Sequence, residues 1–464
     1  MKKNRYILLL FAVCFCANIH ANTVGNLSAS ASLPGTMAMG DSLVNAPNAQ
    51  IGLSAIDNMD YWPYIYSGFY SSVFLPSDEG LKEMPDPLTI GKEVSEMWQW
   101  GYDASKSSLQ RIYVDVFACS MTNGGWVKRD SLLSITGGTG NSQINNRLSL
   151  LLDNIFVREP LRADKKYYKT KGNMFLKIDV SGTEPQTVEG PWDAFTQGAA
   201  KANSKYTVPA FEGRVCNVYV MDGPMMGMMK SIDQVLSEHQ EFSEFRAFIS
   251  AAGMMAERNT DGFCAISKTD NNLVSSSIGS DGKPLQLSLT DGDNYTLYVP
   301  TNGAILQAYA AGIPSPSDLE LAQLLDEKDI ENGNFSDRTS QLRKTMQDFV
   351  RYHLQFESVF VDNGFENGRY GTKKFKTFEV TEADPYGVGA PEKLRVEVDS
   401  SHLDVTDAQG HTRHVVTTNG SDGKPLHNLM AVQLWGNGTN IESAYSIENS
   451  SSIVIHAIDG PLMY

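Results

Sequence analysis

Cysteine is scarce in this sequence, with five residues in a chain of 464. Two of them, Cys14 and Cys16, lie in an N-terminal apolar stretch. Without that stretch Cys119, Cys216 and Cys264 remain, an odd number that cannot pair completely within one chain. "YVDVFACS" and "RVCNVYV" read as strands, so Cys119 and Cys216 are expected as buried thiols, with a disulfide between them as the alternative. In neither case does stability rest on a disulfide framework. Positive charge is also short: 38 Lys and Arg stand against 54 Asp and Glu, a formal charge of -16. So acidic a chain is a poor phosphate binder, which sets aside nucleic acid and anionic membrane surfaces as partners. Beyond the N-terminus no apolar run approaches the ~18 residues that a membrane-spanning helix needs. Catalytic signatures are missing as well: no G-x-S-x-G elbow, H-E-x-x-H, P-loop or Cys-x-x-Cys occurs. The expectation is a chain without enzymatic activity and without a cofactor.

What is present begins with "MKKNRYILLLFAVCFCANIHA", a basic start, an apolar stretch and a small residue at Ala21. This predicts a secretory signal over residues 1–21 and an exported chain. Cleavage before a cysteine in the apolar stretch would instead give a lipid anchor. The short signal with cysteines in its core points to a bacterial envelope, at the outer membrane, in the periplasm or outside the cell.

The chain then repeats itself. "NVYVMDGPMM" at 217–226 returns as "VIHAIDGPLM" at 454–463, and "YSSVFLPSDEGL" at 70–81 returns as "YTLYVPTNGAIL" at 295–306. A third echo pairs "YYKTKGNMFLKIDV" (167–180) with "RYGTKKFKTFEV" (369–380). Three phrases in one order indicate tandem duplication. The Asp-Gly-Pro phrase reads as the last strand of each copy, with Asp222 and Asp459 capping their turns. The proline phrase reads as strand, then Pro76 or Pro300, then a helix capped by Ser77-Asp78 or Thr301-Asn302. "SIDQVLSEHQEFSEFRAFISAAG" (231–253) predicts two amphipathic helices opening the second copy, built on Ile232, Val235 and Leu236 and then Phe245, Phe248, Ile249 and Ala252. Ser243 is the expected N-cap, with Phe242 placed for a staple. "GSDGKPL" at 279–285 and 420–426 carries hairpin chemistry, and the methionine-rich "MMGMMKS" joins the copies.

These phrases, in this order, resemble the fasciclin domain. Residues 231–464 match the whole pattern, including a Tyr-His pair, Tyr352-His353, late in a helix and "LDVTDAQGHTRHVVT" (403–417) as paired strands. Residues 45–228 match less fully: no opening helix is legible before Gly68, and Asp153-Asn154 stands where Tyr-His should. The resemblance implies an α+β fold of two consecutive fasciclin-like domains, each a strand-rich wedge with helices packed alongside. It also implies a role for Tyr352 and His353 in adhesion to cell-surface receptors; a helix-borne imidazole hydrogen-bonded inside the fold is the competing reading.

Other groupings are weaker. Asp291, Asp293 and Asn294 lack the Gly and distant Glu of an EF-hand and read as a loop. His411 and His414 lie on a strand, where residues three apart face opposite ways, so no metal site is expected. The glycine-rich 134–142 lacks the ending of a phosphate loop. The six Asn-x-Ser/Thr sequons, such as that at Asn437, are incidental in a bacterium. The functional expectation is a non-catalytic binding or adhesion protein of the cell envelope, with a surface or matrix protein or polysaccharide as partner. The alternative is a glycan-capture accessory protein that uses Trp98 and Trp100, or Tyr61, Trp62 and Tyr64, as sugar platforms.

Overall fold

A computed structural model describes residues 43, 46–86, 95–122, 125–135, 142–190, 199–223, 232–254, 274–278, 284–288, 294–363, 368–375, 391–399, 401–436 and 447–464. The signal segment, Cys14, Cys16, Cys264, Asp291, Asp293, Asn437, the linker at 225–231 and most of the glycine-rich stretch lie outside the described residues. Residues Ala46–Tyr464 form one compact unit; in the preceding unit, Met1–Asn45, only Leu43 is described. Among the described residues no helix is long and apolar enough to cross a membrane.

In chain order the first half holds α1 (Gln50–Asn58), α2 (Trp62–Tyr66), β1 (Ser72–Pro76), α3 (Asp78–Leu81), β2 (Met84–Pro85), β3 (Ser95–Tyr102), β4 (Ile112–Thr122) and β5 (Gly125–Ile135). It continues with α4 (Ser142–Asp153), β6 (Phe156–Val157), β7 (Tyr167–Lys169), β8 (Phe175–Ser181), β9 (Glu184–Glu189), β10 (Ala202–Pro209) and β11 (Val215–Met221). The second half opens with α5 (Ile232–Ser237), α6 (Ser243–Ala251), β12 (Val274–Ile278), β13 (Pro284–Ser288), β14 (Tyr295–Pro300), α7 (Asn302–Ala310), α8 (Pro316–Glu331) and α9 (Arg338–Tyr352). It ends with β15 (Leu354–Phe356), β16 (Gly368–Phe375), β17 (Pro391–Val398), β18 (Leu403–Thr406), β19 (Thr412–His414), β20 (Leu429–Gly436) and β21 (Ile447–Ile458). Helices and strands are mixed within each half, an α+β protein.

The repeated phrases are partners in space. β1 runs parallel to β11, with Pro76 opposite Met221, and β14 runs parallel to β21, with Pro300 opposite Ile458. The neighbours agree too: β10-β11-β1-β6 in the first half and β20-β21-β14-β15 in the second follow one order. The third echo also holds in register, since Val157 bridges Thr170 as Gln355 bridges Thr372. A strand buried along its whole length, as β1 and β14 are, must be apolar on both faces, which is how "SVFLP" and "YTLYVP" read.

The first half does open with a helix, contrary to the sequence reading. Asp78 accepts the N–H groups of Gln50 (3.0 Å) and Ile51 (2.8 Å) at the start of α1, and Asn302 accepts the Glu244 N–H (3.0 Å) at the start of α6. A residue just past each proline therefore caps a helix in the opening segment of its own half. Ser243 is inside α6 and does not cap it; its hydroxyl accepts from Asn302 Nδ2 (3.0 Å). Ser77 caps α3 as expected, through the Gly80 N–H (3.1 Å), whereas Thr301 makes no side-chain cap. Asp459 reaches sideways to the His414 N–H (2.9 Å) instead of capping its own turn, and Asp222 likewise accepts the Lys201 N–H (2.7 Å).

The longer spacing in the first half is an inserted sheet, β2-β3-β4-β5, which buries Trp98 and Trp100. Cys119 sits on that sheet and Cys216 on β11; both are buried free thiols, so no disulfide joins them. In the second half α5, α6, α7 and α9 pack on β14 and β21 around the predicted Ile232, Val235, Leu236, Phe245, Phe248 and Ile249.

Candidate functional site

Tyr352 is the last residue of α9 and His353 follows it. The apolar periodicity of "MQDFVRYHL" turns both inward, and neither exposes any surface. His353 Nδ1–H donates to the Phe349 carbonyl at 2.8 Å, and Nε2 accepts the Leu462 N–H at 3.1 Å. Burial pulls the imidazole pKa down to about 4, so it is neutral at physiological pH. The Tyr352 hydroxyl accepts the Ala408 N–H at 2.8 Å, and burial pushes its pKa up to about 12. Asp407 completes the arrangement by accepting the Met463 N–H (2.9 Å) and the His411 N–H (2.8 Å). The pair thus fastens the closing residues Leu462 and Met463 to α9. Both side chains lie in the interior, hydrogen-bonded within the fold, as the competing reading of this pair expects.

His411 and His414 go to different carboxylates. His411 Nδ1 lies 3.4 Å from Asp407, and His414 Nδ1 lies 2.7 Å from Asp404, whose hydrogen bond raises the pKa of that imidazole. Among the described residues no group of three potential metal ligands converges. Asn294 is buried just before β14.

The aromatic candidates divide. Trp98 and Trp100 are core residues, with the Arg147 guanidinium 4.4 Å from the Trp98 ring, and Tyr61 is buried. These three offer no face to a sugar. Tyr64 and Tyr66 on α2 and Phe69 just beyond it do reach solvent, at 37%, 44% and 60% exposed, and Trp62 is half-buried beside them. Pro63 in the first turn sets this short helix, and Gly68, at φ +70°, turns the chain out of it towards β1. The rings form a knuckle, not a flat row. Tyr64 meets Tyr61, Tyr70 and Phe156 edge-on at interplanar angles of 61°, 84° and 68°, and only Trp62 and Tyr66 are near-parallel, at 20°.

Cations border this knuckle. Lys171 Nζ sits 4.8 Å from the Tyr64 ring and 2.6 Å from Asp153, which also accepts the Tyr61 hydroxyl at 2.7 Å. Arg158 lies 5.9 Å from the Phe69 ring, and Arg214 donates to the Gly68 carbonyl at 3.3 Å. Sequence reasoning found Tyr61, Trp62 and Tyr64 but missed Tyr66, Phe69 and the three cations. The density of rings from 61 to 70 was the available signal; the cations arrive from distant segments.

No family model matches this chain, and no curated protein matches it. Among solved structures it is similar to one titled as a novel fold revealed by a FAS1 domain pair from the insect cell adhesion molecule fasciclin I. The identity is 13%, over 89% of this chain and 96% of that one, with a TM-score of 0.22. So low a score adds nothing to the fold reading, which rests on the strand order and hydrogen bonds given above.

Proposed function

We propose that this chain is a non-catalytic binding protein of adhesion type, exported to the cell envelope and built from two fasciclin-like domains, with a protein partner. The assignment from fold to function is by analogy. The observation that carries it is the exposed knuckle of Tyr64, Tyr66 and Phe69 with its border of Arg158, Lys171 and Arg214. Tilted aromatic rings beside arginine are the composition of protein interface hot spots. The absence of catalysis is supported by His353, whose two ring nitrogens are both committed to backbone groups and so face no substrate.

A second reading, glycan capture, is favoured by one observation, the near-parallel Trp62 and Tyr66 rings 5.8 Å apart. Binding of the purified chain to immobilised matrix proteins and polysaccharides decides between them. Saturable protein binding, weakened about tenfold or more by Tyr66→Ala with Phe69→Ala while the unfolding midpoint holds, is the expected result. Binding confined to polysaccharides and lost in Trp62→Ala transfers the assignment to glycan capture. Protein binding indifferent to the double substitution refutes the knuckle as the site.

A further inference from the structure

The second half carries an unrelated surface on α8, a 16-residue helix held at its start by a capping box between Ser315 and Asp318. α8 touches the core by a narrow stripe. Leu319 and Ala322 are buried, and the next residues on that side, Asp326 and Asp329, hold Arg338 at 3.2 and 2.6 Å. Three leucines on the outer side reach solvent, Leu321, Leu324 and Leu325 at 57%, 64% and 42% exposed, with the exposed Lys328 one turn beyond Leu324 and Leu325 as the single cation on that stripe. Leu321 and Leu325 form one lip of a groove of about 510 Å³ whose other side is Tyr309, Ile313 and Leu342. The Tyr309 hydroxyl is buried at this groove without a hydrogen-bond partner among the described residues.

Beside this apolar ridge runs a row of charge. At 3.6 residues per turn, Glu320, Glu327 and Glu331 fall on one line along the helix next to Leu324. All three are exposed, and among the described residues none is engaged in an ion pair or hydrogen bond. The inner carboxylates of α8 are consumed by the fold, and the outer ones are left over. Three solvated carboxylates flanking exposed leucines constrain what can cover the face. A second copy of the chain would set this glutamate row against itself in a molecule of formal charge -16. An anionic surface is repelled in the same way. The complementary object has leucine-like side chains on one stripe and cations at helical spacing beside it.

We propose that the outer face of α8 docks a cationic amphipathic helix of a partner protein. The apolar stripe of that helix lies on Leu321, Leu324 and Leu325, and its lysines or arginines run along Glu320, Glu327 and Glu331. This inference stands independently of the aromatic knuckle, which belongs to the other half of the chain.

The test uses the full chain and two synthetic helical peptides, one of leucine and lysine in amphipathic register and one with glutamate in place of every lysine. The lysine peptide is expected to bind saturably at one site, and the glutamate peptide is expected not to bind. Leu321→Ser with Leu325→Ser should weaken the lysine peptide about tenfold or more. Glu320→Gln, Glu327→Gln and Glu331→Gln together should weaken it and flatten its salt dependence. All five side chains are exposed, so unfolding midpoints should not move, which separates lost docking from lost folding. The Tyr66→Ala, Phe69→Ala variant should bind the peptide like the parent, so that failure of the knuckle and failure of this face are told apart. Equal binding of both peptides, affinity unchanged in the leucine variant, or no binding of the lysine peptide each overturns the proposal. Self-association abolished by the leucine variant would overturn it in favour of a second copy.

Discussion

Asn154 stands in the first half where His353 stands in the second. Each follows the last helical residue before a short strand, each is buried, and each returns a side-chain N–H to the carbonyl four residues back, at 2.8 Å in both cases. The second acceptor differs in kind but not in purpose. Asn154 Oδ1 takes the Thr170 hydroxyl (2.7 Å), and His353 Nε2 takes the Leu462 N–H (3.1 Å). One device therefore ties the end of a helix to the next layer in both halves, and the histidine is one way of building it.

His353→Ala should then cost stability more than binding. It leaves the Leu462 N–H unpaired in the interior and opens a cavity, which together amount to about 2–4 kcal/mol. His353→Asn keeps the bond to Phe349 and should cost clearly less. Urea unfolding of the three chains measures the order; an alanine variant as stable as the parent would show that the tie carries no weight.

Acid should unfold the chain through its buried imidazoles. Burial holds His353 and His456 at about 4, down from 6.5, with the Phe349 and Val359 carbonyls pulling weakly the other way. Above pH 6.5 both rings are neutral folded and unfolded, and they leave stability alone. Between 6.5 and about 4 the unfolded chain takes up protons that the folded chain refuses, so stability falls as the pH falls, by on the order of 3 kcal/mol per ring. Unfolding midpoints across this range measure the slope, and His353→Asn should reduce it.

Much of this was legible because the signals are local. Proline, a capping residue and the Asp-Gly-Pro turn sit within a few positions of the strands they end, and the echoes at Thr170 and Thr372 fall in register. The opening helix α1 was not legible, for two physical reasons. Its cap is Asp78, far along the chain. Its interior holds Gly52, which reads as a helix breaker. The glycine lets α1 lie close on β1: a Cβ there would lie 2.6 Å from Leu75 Cδ1, so a larger residue would make the Leu75 side chain give way. The Tyr352-His353 motif was legible as a motif, but its burial follows from which way α9 turns on the sheet. The acidic and apolar faces of α8 were visible only once Asp326 and Asp329 were seen to be spent on Arg338.

Arg147, on α4, should be the most sensitive cation packed against the inserted sheet. It meets Asp86 through Nε (3.1 Å) and Nη2 (2.6 Å), and Asp86 exposes no surface. Arg147→Ala breaks this buried ion pair, an expected loss of about 3–5 kcal/mol. Adding Asp86→Asn should recover part of it. Tryptophan fluorescence reads the site directly, since removing the guanidinium from above Trp98 should shift its emission at low denaturant.

Finally, the joint unfolding of the two halves should rest on a small contact that Asn363 anchors. Asn363, from the second half, accepts the N–H groups of Lys166 (2.9 Å) and Tyr167 (2.8 Å) in the first. Beside it Tyr167 stacks on Phe360 with centroids 4.0 Å apart, Asp362 pairs with Lys166, and Asn428 donates to the Tyr167 hydroxyl at 3.3 Å. This joint is small, but the two bonds to Asn363 are part-buried, so losing the acceptor leaves two orphaned donors at once. Asn363→Ala should cost about 2–3 kcal/mol of coupling, and with Phe360→Ala it should split a single calorimetric transition into two. A single transition that persists in the double variant would place the coupling elsewhere along the chain.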